Sequence, residues 1–321
     1  MTRRTLVLGG GGVSGIAWEA GILLGLRDGG VDMDQWDLVV GTSAGAIVAT
    51  RLLGSDLQAF YDEQASEDIT AEDEQVRLLA GRIGGWMFIT GRRRRLGWLP
   101  RLWALTIALR ALVTRAIRRR LRGRGRSKVV PPSPYARSGP DAGLARMGAF
   151  ARSCPTASEV DWLQVIASAL LPVTDWPQEL VLTAIDAHDG SLVAFDRSSG
   201  VPLTLAAGAS AAVPGIFPPV RIDGRRYIDG GTASDTNAHL AIGSDDVLVI
   251  APLDRGYLER EVESLQESGA RVSIIAPGTE TGELLGRHLA LLDPARRAEC
   301  ARAGYEEGLA AAPPLARSSA A

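Results

Sequence analysis

"DLVVGTSAGAIVATRLLG" occupies residues 37–54. A short apolar strand runs into a serine bracketed by glycines, and an apolar helical pattern follows, ended by Gly54. The centre reads Gly41-x-Ser43-x-Gly45. A strand-to-helix turn this tight needs glycine on both sides, because a side chain there would strike the neighbouring elements. The turn lifts the serine hydroxyl to the strand tip, above a helix N-terminus. A five-residue match arises by chance in many chains. Here the strand before it and the helix after it supply the context the chemistry requires. Ser43 is therefore read as a nucleophile, with a plain structural serine as the bland alternative.

Working back toward the N-terminus, "TLVLGGGGVSGIAWEAG" (5–21) is a second strand–loop–helix. Its Gly10-x-Gly12-x-x-Gly15 spacing satisfies the dinucleotide fingerprint. That reading, a nucleotide-dependent oxidoreductase, needs an acidic residue at the end of the second strand. The elbow "GTSAG" stands there instead, and Asp28, Asp32, Asp34 and Asp37 all precede or begin the strand. Successive glycine amides at a helix N-terminus also form an anion cradle. Beside a nucleophilic serine, such a cradle would hold the oxyanion of a tetrahedral intermediate.

A serine hydroxyl needs a base. The three histidines, His188, His239 and His288, stand in no context that announces catalysis. "YIDGG" (227–231) places Asp229 at a strand end with Gly230 and Gly231 after it. Alone, such an aspartate would be read as a turn cap. With a serine and an anion cradle it would complete a Ser-Asp dyad, a two-residue form of the triad logic.

Four blocks, "GGGGVSG" (9–15), "GTSAG" (41–45), "GASAAVPGIFPPV" (208–220) and "DGG" (229–231), together resemble the patatin-like phospholipase family, in that order. The resemblance covers roughly residues 5–53 and 179–252. It implies a three-layer α/β/α fold with a mostly parallel central sheet, and serine lipid acyl hydrolase activity with no cofactor and no metal. By motif position it implies Ser43 as nucleophile, Asp229 as its partner, and the backbone of Gly10, Gly11, Gly12 and Val13 as the oxyanion hole. One departure stands out. The family's glycine loop usually carries Arg or Lys where this chain has Ser14. Main-chain donors do not depend on that side chain, so the departure bears on the grip on a phosphate head group. A catalytically silent lipid-binding scaffold is the remaining rival.

The rest of the chain fits one α/β domain over 1–321. Strands are expected at 5–8, 37–40, 179–186, 191–196, 246–252 and 271–277, with a hairpin across Asp223-Gly224 and helices at 15–27 and 44–54. Strands alternating with helices predict a mostly parallel sheet covered on both faces. Net charge is only -2, but residues 75–140 carry 17 basic residues and no acidic one, leaving 18 basic against 37 acidic residues elsewhere. This basic insertion is expected to hold a helix over about 100–121 and a linker over 131–140. Its Trp86, Trp98, Trp103 and leucines argue against a solvated loop, and no nucleic-acid motif accompanies the arginines. A contact with an anionic membrane surface uses both its apolar and its basic residues; docking as a lid on the acidic residues 62–74 is the alternative. The two cysteines, Cys154 and Cys300, match no metal or redox spacing. With no signal-peptide core at "TLVL" and no long apolar run, a cytoplasmic protein, peripheral on the membrane, is expected. The alanine-rich end, 311–321, is expected to be disordered.

Overall fold

The computed structural model describes residues 2–70, 74–78, 136–286 and 288–319. The basic insertion's central part, its expected helix over 100–121 and most of the linker lie outside them. Among the described residues nine strands form one sheet: β1 (Arg4–Leu8), β2 (Leu38–Gly41), β3 (Ala136–Arg137), β4 (Leu180–Asp186), β5 (Leu192–Phe195), β6 (Val220–Ile222), β7 (Arg225–Asp229), β8 (Asp246–Ile250) and β9 (Arg271–Ile275). The helices are α1 (Gly12–Asp28), α2 (Ala44–Gly54), α3 (Leu57–Ala65), α4 (Ala142–Ala151), α5 (Glu159–Leu170), α6 (Leu203–Ser210), α7 (Leu258–Glu267), α8 (Thr279–Leu285) and α9 (Arg297–Ser319).

The order β4-β2-β1-β8-β9 is parallel throughout, as the alternation of strands and helices predicts. Residues of β1 alternate between two cores. Leu6 and Leu8 join Trp18, Ile22 and Val39 on one face, while Val7 joins Val40, Val247 and Leu265 on the other. A strand buried on both faces has no polar side to show, so its sequence is a continuous apolar run. The expected hairpin forms, with Asp223 and Gly224 both at positive φ in its turn.

One topological detail positions the site. A single edge of β4 is shared by two strands that approach from opposite directions. β2 runs parallel to it and stops at Gly41, opposite Leu182. β7 runs antiparallel and stops at Asp229, opposite Ala184. Two strand ends therefore meet head to head across Thr183.

Three expectations are corrected. Helix α1 begins at Gly12 rather than Gly15, so the end of the glycine loop is the helix's first turn. Ala136 and Arg137, placed in the linker, pair with Ala194 and Val193 at the sheet edge. The tail expected to be disordered continues helix α9 to Ser319, through Pro313 and Pro314. Burial holds it there: Ala312 is fully buried against Gly29, which caps the C-terminus of α1, and Leu315 and Ala316 still pack on the main core.

Candidate active site

The elbow is built as its glycines require. A Cβ on Gly45 would run into the Leu8 carbonyl, and one on Gly41 would sit 2.7 Å from Ala46 Cα. Between them Ser43 is held at φ 56, ψ -115, a strained conformation for a residue with a side chain. Its amide donates to Ser210 Oγ at 3.0 Å, and the Gly45 amide donates to the Gly9 carbonyl at 2.9 Å. The strained turn is thus tied to α6 on one side and to the glycine loop on the other.

Ser43 Oγ donates to Asp229 Oδ2 at 2.8 Å, across 186 residues of sequence. Both side chains are buried, Ser43 at 8% exposure and Asp229 at 3%. The other carboxylate oxygen of Asp229 accepts the Gly231 amide at 2.7 Å, and its own amide donates to the Ala212 carbonyl at 3.0 Å. Gly230 lies against Thr183 so closely that a Cβ there would collide with it, which is why glycine follows the aspartate. Burial pushes the Asp229 carboxyl up to about 6, against the downward pull of the Ser43 and Gly231 hydrogen bonds and of the Arg255 charge. Neither His188, in the β4–β5 turn, nor His239, which faces Glu261 at 3.1 Å, touches this pair.

The glycine loop passes beside the serine: a Cβ on Gly10 would lie 3.4 Å from Ser43 Cβ. The structure divides the four expected oxyanion donors. The Gly10 amide is already committed, donating to the Asp235 carbonyl at 2.8 Å. Gly11, Gly12 and Val13 cap and open α1, and among the described residues their amides meet no acceptor. First-turn amides have no partner inside the helix, and the helix dipole adds to their pull on an anion. Gly12 needs to be glycine twice over, for its φ of 61 and for the Leu291 carbonyl lying over it. Ser14, the position of the sequence departure, is fully buried, beside Cys300. Below the loop the buried Glu19 accepts the Gly9 amide at 2.9 Å, and burial raises its carboxyl well above the usual range.

Six residues outside the expected catalytic set complete the site. Asn237, at positive φ, donates to Thr42 Oγ1 at 3.1 Å and to the Ser234 carbonyl at 3.0 Å. Thr42 and Thr183 share a hydrogen bond of 2.9 Å, so a buried polar knot fastens the elbow to the turn after β7. Ser210 caps the Ser43 amide, and Asp235 with Arg255 closes the far side. Thr42 and Ser210 lie inside sequence blocks already singled out; Thr183, Asn237, Asp235 and Arg255 carry no local spacing that marks them.

A serine hydrogen-bonded to a buried carboxylate thus stands in a strained elbow, beside helix-terminal amides that meet no acceptor among the described residues. The model of the patatin-like phospholipase family matches residues 6–242, and the chain belongs to that family. Its members are generally lipid ester hydrolases. Among solved structures, VipD from Legionella pneumophila is 14% identical with a TM-score of 0.42, the match covering 99% of this chain and 67% of that one. The type III effector protein ExoU is 17% identical with a TM-score of 0.35, the match covering 96% of this chain and 54% of that one. The chain thus spans about two thirds and just over half of their lengths. No curated protein matches the sequence.

Proposed function

We propose that the protein hydrolyses carboxylic esters of lipids through a Ser43–Asp229 dyad. The 2.8 Å hydrogen bond between Ser43 Oγ and Asp229 Oδ2 carries this reading. Asp229 takes the hydroxyl proton as Ser43 Oγ attacks the ester carbonyl carbon. The carbonyl π pair moves to oxygen, and the amides of Gly11, Gly12 and Val13 receive the charge. Collapse breaks the carbon–oxygen ester bond, and Asp229 returns its proton to the leaving alcohol. Water then gives a proton to Asp229 and its hydroxyl to the acyl carbon. The fatty acid leaves, and the proton goes back to Ser43. A carboxyl poised near 6 is ionised enough at neutral pH to accept a proton and acidic enough to return it.

The test is release of fatty acid from phospholipid by wild type, Ser43→Ala and Asp229→Asn. Both variants are expected to fall by at least about 10³-fold, the range of a lost nucleophile or base. Equal hydrolysis by all three would remove the dyad.

We place the enzyme in the cytoplasm, peripheral on an anionic membrane surface contacted by residues 75–140. Helix α4, which follows that segment, leaves Met147 and Phe150 at 41% and 52% exposure with Arg146 beside them, a mixture suited to a lipid interface.

A further inference from the structure

We propose that Arg255 and Asp235 act as a positioning pair for the reaction: Arg255 compensates the second of two neighbouring buried carboxylates so that Asp229 can serve as the base, and Asp235 ties that cation to the glycine loop. The inference rests on the dyad reading above.

The geometry is specific. Asp235 is 3% exposed and lies six residues after Asp229, on the loop that follows the Gly230-Gly231 turn. Arg255 comes from the loop after β8. Its Nε donates to Asp235 Oδ1 at 2.6 Å, its Nη2 donates to the same oxygen, and its backbone amide donates to Asp235 Oδ2 at 2.9 Å. The same Nη2 reaches the Gly231 carbonyl at 2.7 Å. The Asp235 carbonyl accepts the Gly10 amide at 2.8 Å. One arginine thus bridges the turn that shapes Asp229 and the loop that flanks Ser43.

The charge count explains why a cation is needed. Two buried carboxylates side by side resist ionising together. Arg255 and Asp235 are the charged groups that act on Asp229. Its other neighbours are neutral: Ser43 from the elbow, Thr183 and Ala184 from β4, and Ala212 after α6. Glu261 is held away by Thr236, Ala238 and His239. Nothing else within the described site offsets Asp235. Fixing the guanidinium on Asp235 and Gly231 keeps it beside the base although its side chain is 60% exposed.

The experiment is the pH profile of kcat/KM from pH 5 to 9 on a soluble short-chain p-nitrophenyl ester. The enzymes are wild type, Arg255→Gln, Arg255→Lys, Asp235→Asn and the double variant Arg255→Gln/Asp235→Asn. Arg255→Gln is expected to move the acidic limb up by about one pH unit or more, the size of losing a neighbouring opposite charge. Asp235→Asn should move it down, the double variant should return it toward wild type, and Arg255→Lys should keep it close to wild type. An Arg255→Gln limb that stays in place while the rate falls equally at every pH would overturn the proposal, leaving only a brace. An Asp235→Asn limb that does not move down would overturn it too, whether or not Arg255→Gln folds. If Asp229→Asn hydrolyses the ester like wild type, the dyad reading fails first, a separate result.

Discussion

In the proposed dyad Asp229 serves two opposed ends: it lies buried against Ser43, and it must ionise to take a proton. Burial wins part of that contest, which is why its carboxyl stands at about 6 rather than near 3.8. For activity, kcat/KM on a soluble ester should rise with pH through about 6 and then level. For stability the sign is the reverse. Between about 4 and 6 the folded chain holds a proton at Asp229 that the unfolded chain has released. Stability from this group is therefore full below pH 4, is lost as pH rises to 6, and stays low above it. A shift of this size corresponds to about 3 kcal/mol. Asp229→Asn is thus expected to be inactive yet to melt higher than wild type at pH 7.5, with the gap closing below pH 4. A lower melting temperature for the variant at pH 7.5 would show that the ionised carboxylate stabilises the fold. At this scale Ser43, Asp229 and the flanking glycines are legible in the sequence, because a tight turn forces glycine at fixed offsets. Asn237, Asp235 and Arg255 are not, since only the folded chain brings them to the site.

Among the elements, α1 carries the end of the glycine loop as its first turn, so whatever seats α1 seats the amides proposed to hold the oxyanion. Its partner is α9. Gly21 and Gly25 on α1 face Ala301 and Tyr305, and Gly304 and Gly308 on α9 face Trp18 and Ile22, so closely that a Cβ at any of the four would strike a backbone carbonyl. Two helices this near are joined by backbone contact rather than by long side chains. Helix propensity alone would have Gly304→Ala stabilise by about 1 kcal/mol. The packing predicts the opposite, a loss of about 2–3 kcal/mol, with thermal unfolding as the measurement. A stabilised variant would show that the helices stand farther apart. The sequence does not mark this interface: no local pattern pairs the α9 glycines with those of α1, and the alanine-rich end with Pro313 and Pro314 is expected to be disordered. Burial against α1 carries the helix past both.

For the molecule as a whole, charge separates into a basic segment and an acidic remainder. Among the described residues no helix is long and apolar enough to cross a membrane. Deleting residues 92–128 is expected to abolish sedimentation with anionic vesicles and to leave soluble-ester hydrolysis within about twofold. Wild-type binding should weaken steeply between low and physiological salt, as exposed charges are screened. Undiminished binding by the deletion variant would remove the segment from membrane contact. The parallel sheet and its two cores were legible at this scale, because fully buried strands show as short apolar runs. The head-to-head meeting of β2 and β7 on one edge of β4 was not. It depends on which strand lies beside which, and no local pattern encodes that.

Activation of Ser43 by Asp229 is checked by reacting the protein with a fluorophosphonate, locating the adduct by peptide mass spectrometry, and comparing the labelling rate of wild type with that of Asp229→Asn. One adduct, on the peptide containing Ser43, forming at least about 10²-fold more slowly in the variant, is the result predicted. An adduct on another residue, or an Asp229→Asn protein labelled at the wild-type rate, would contradict it.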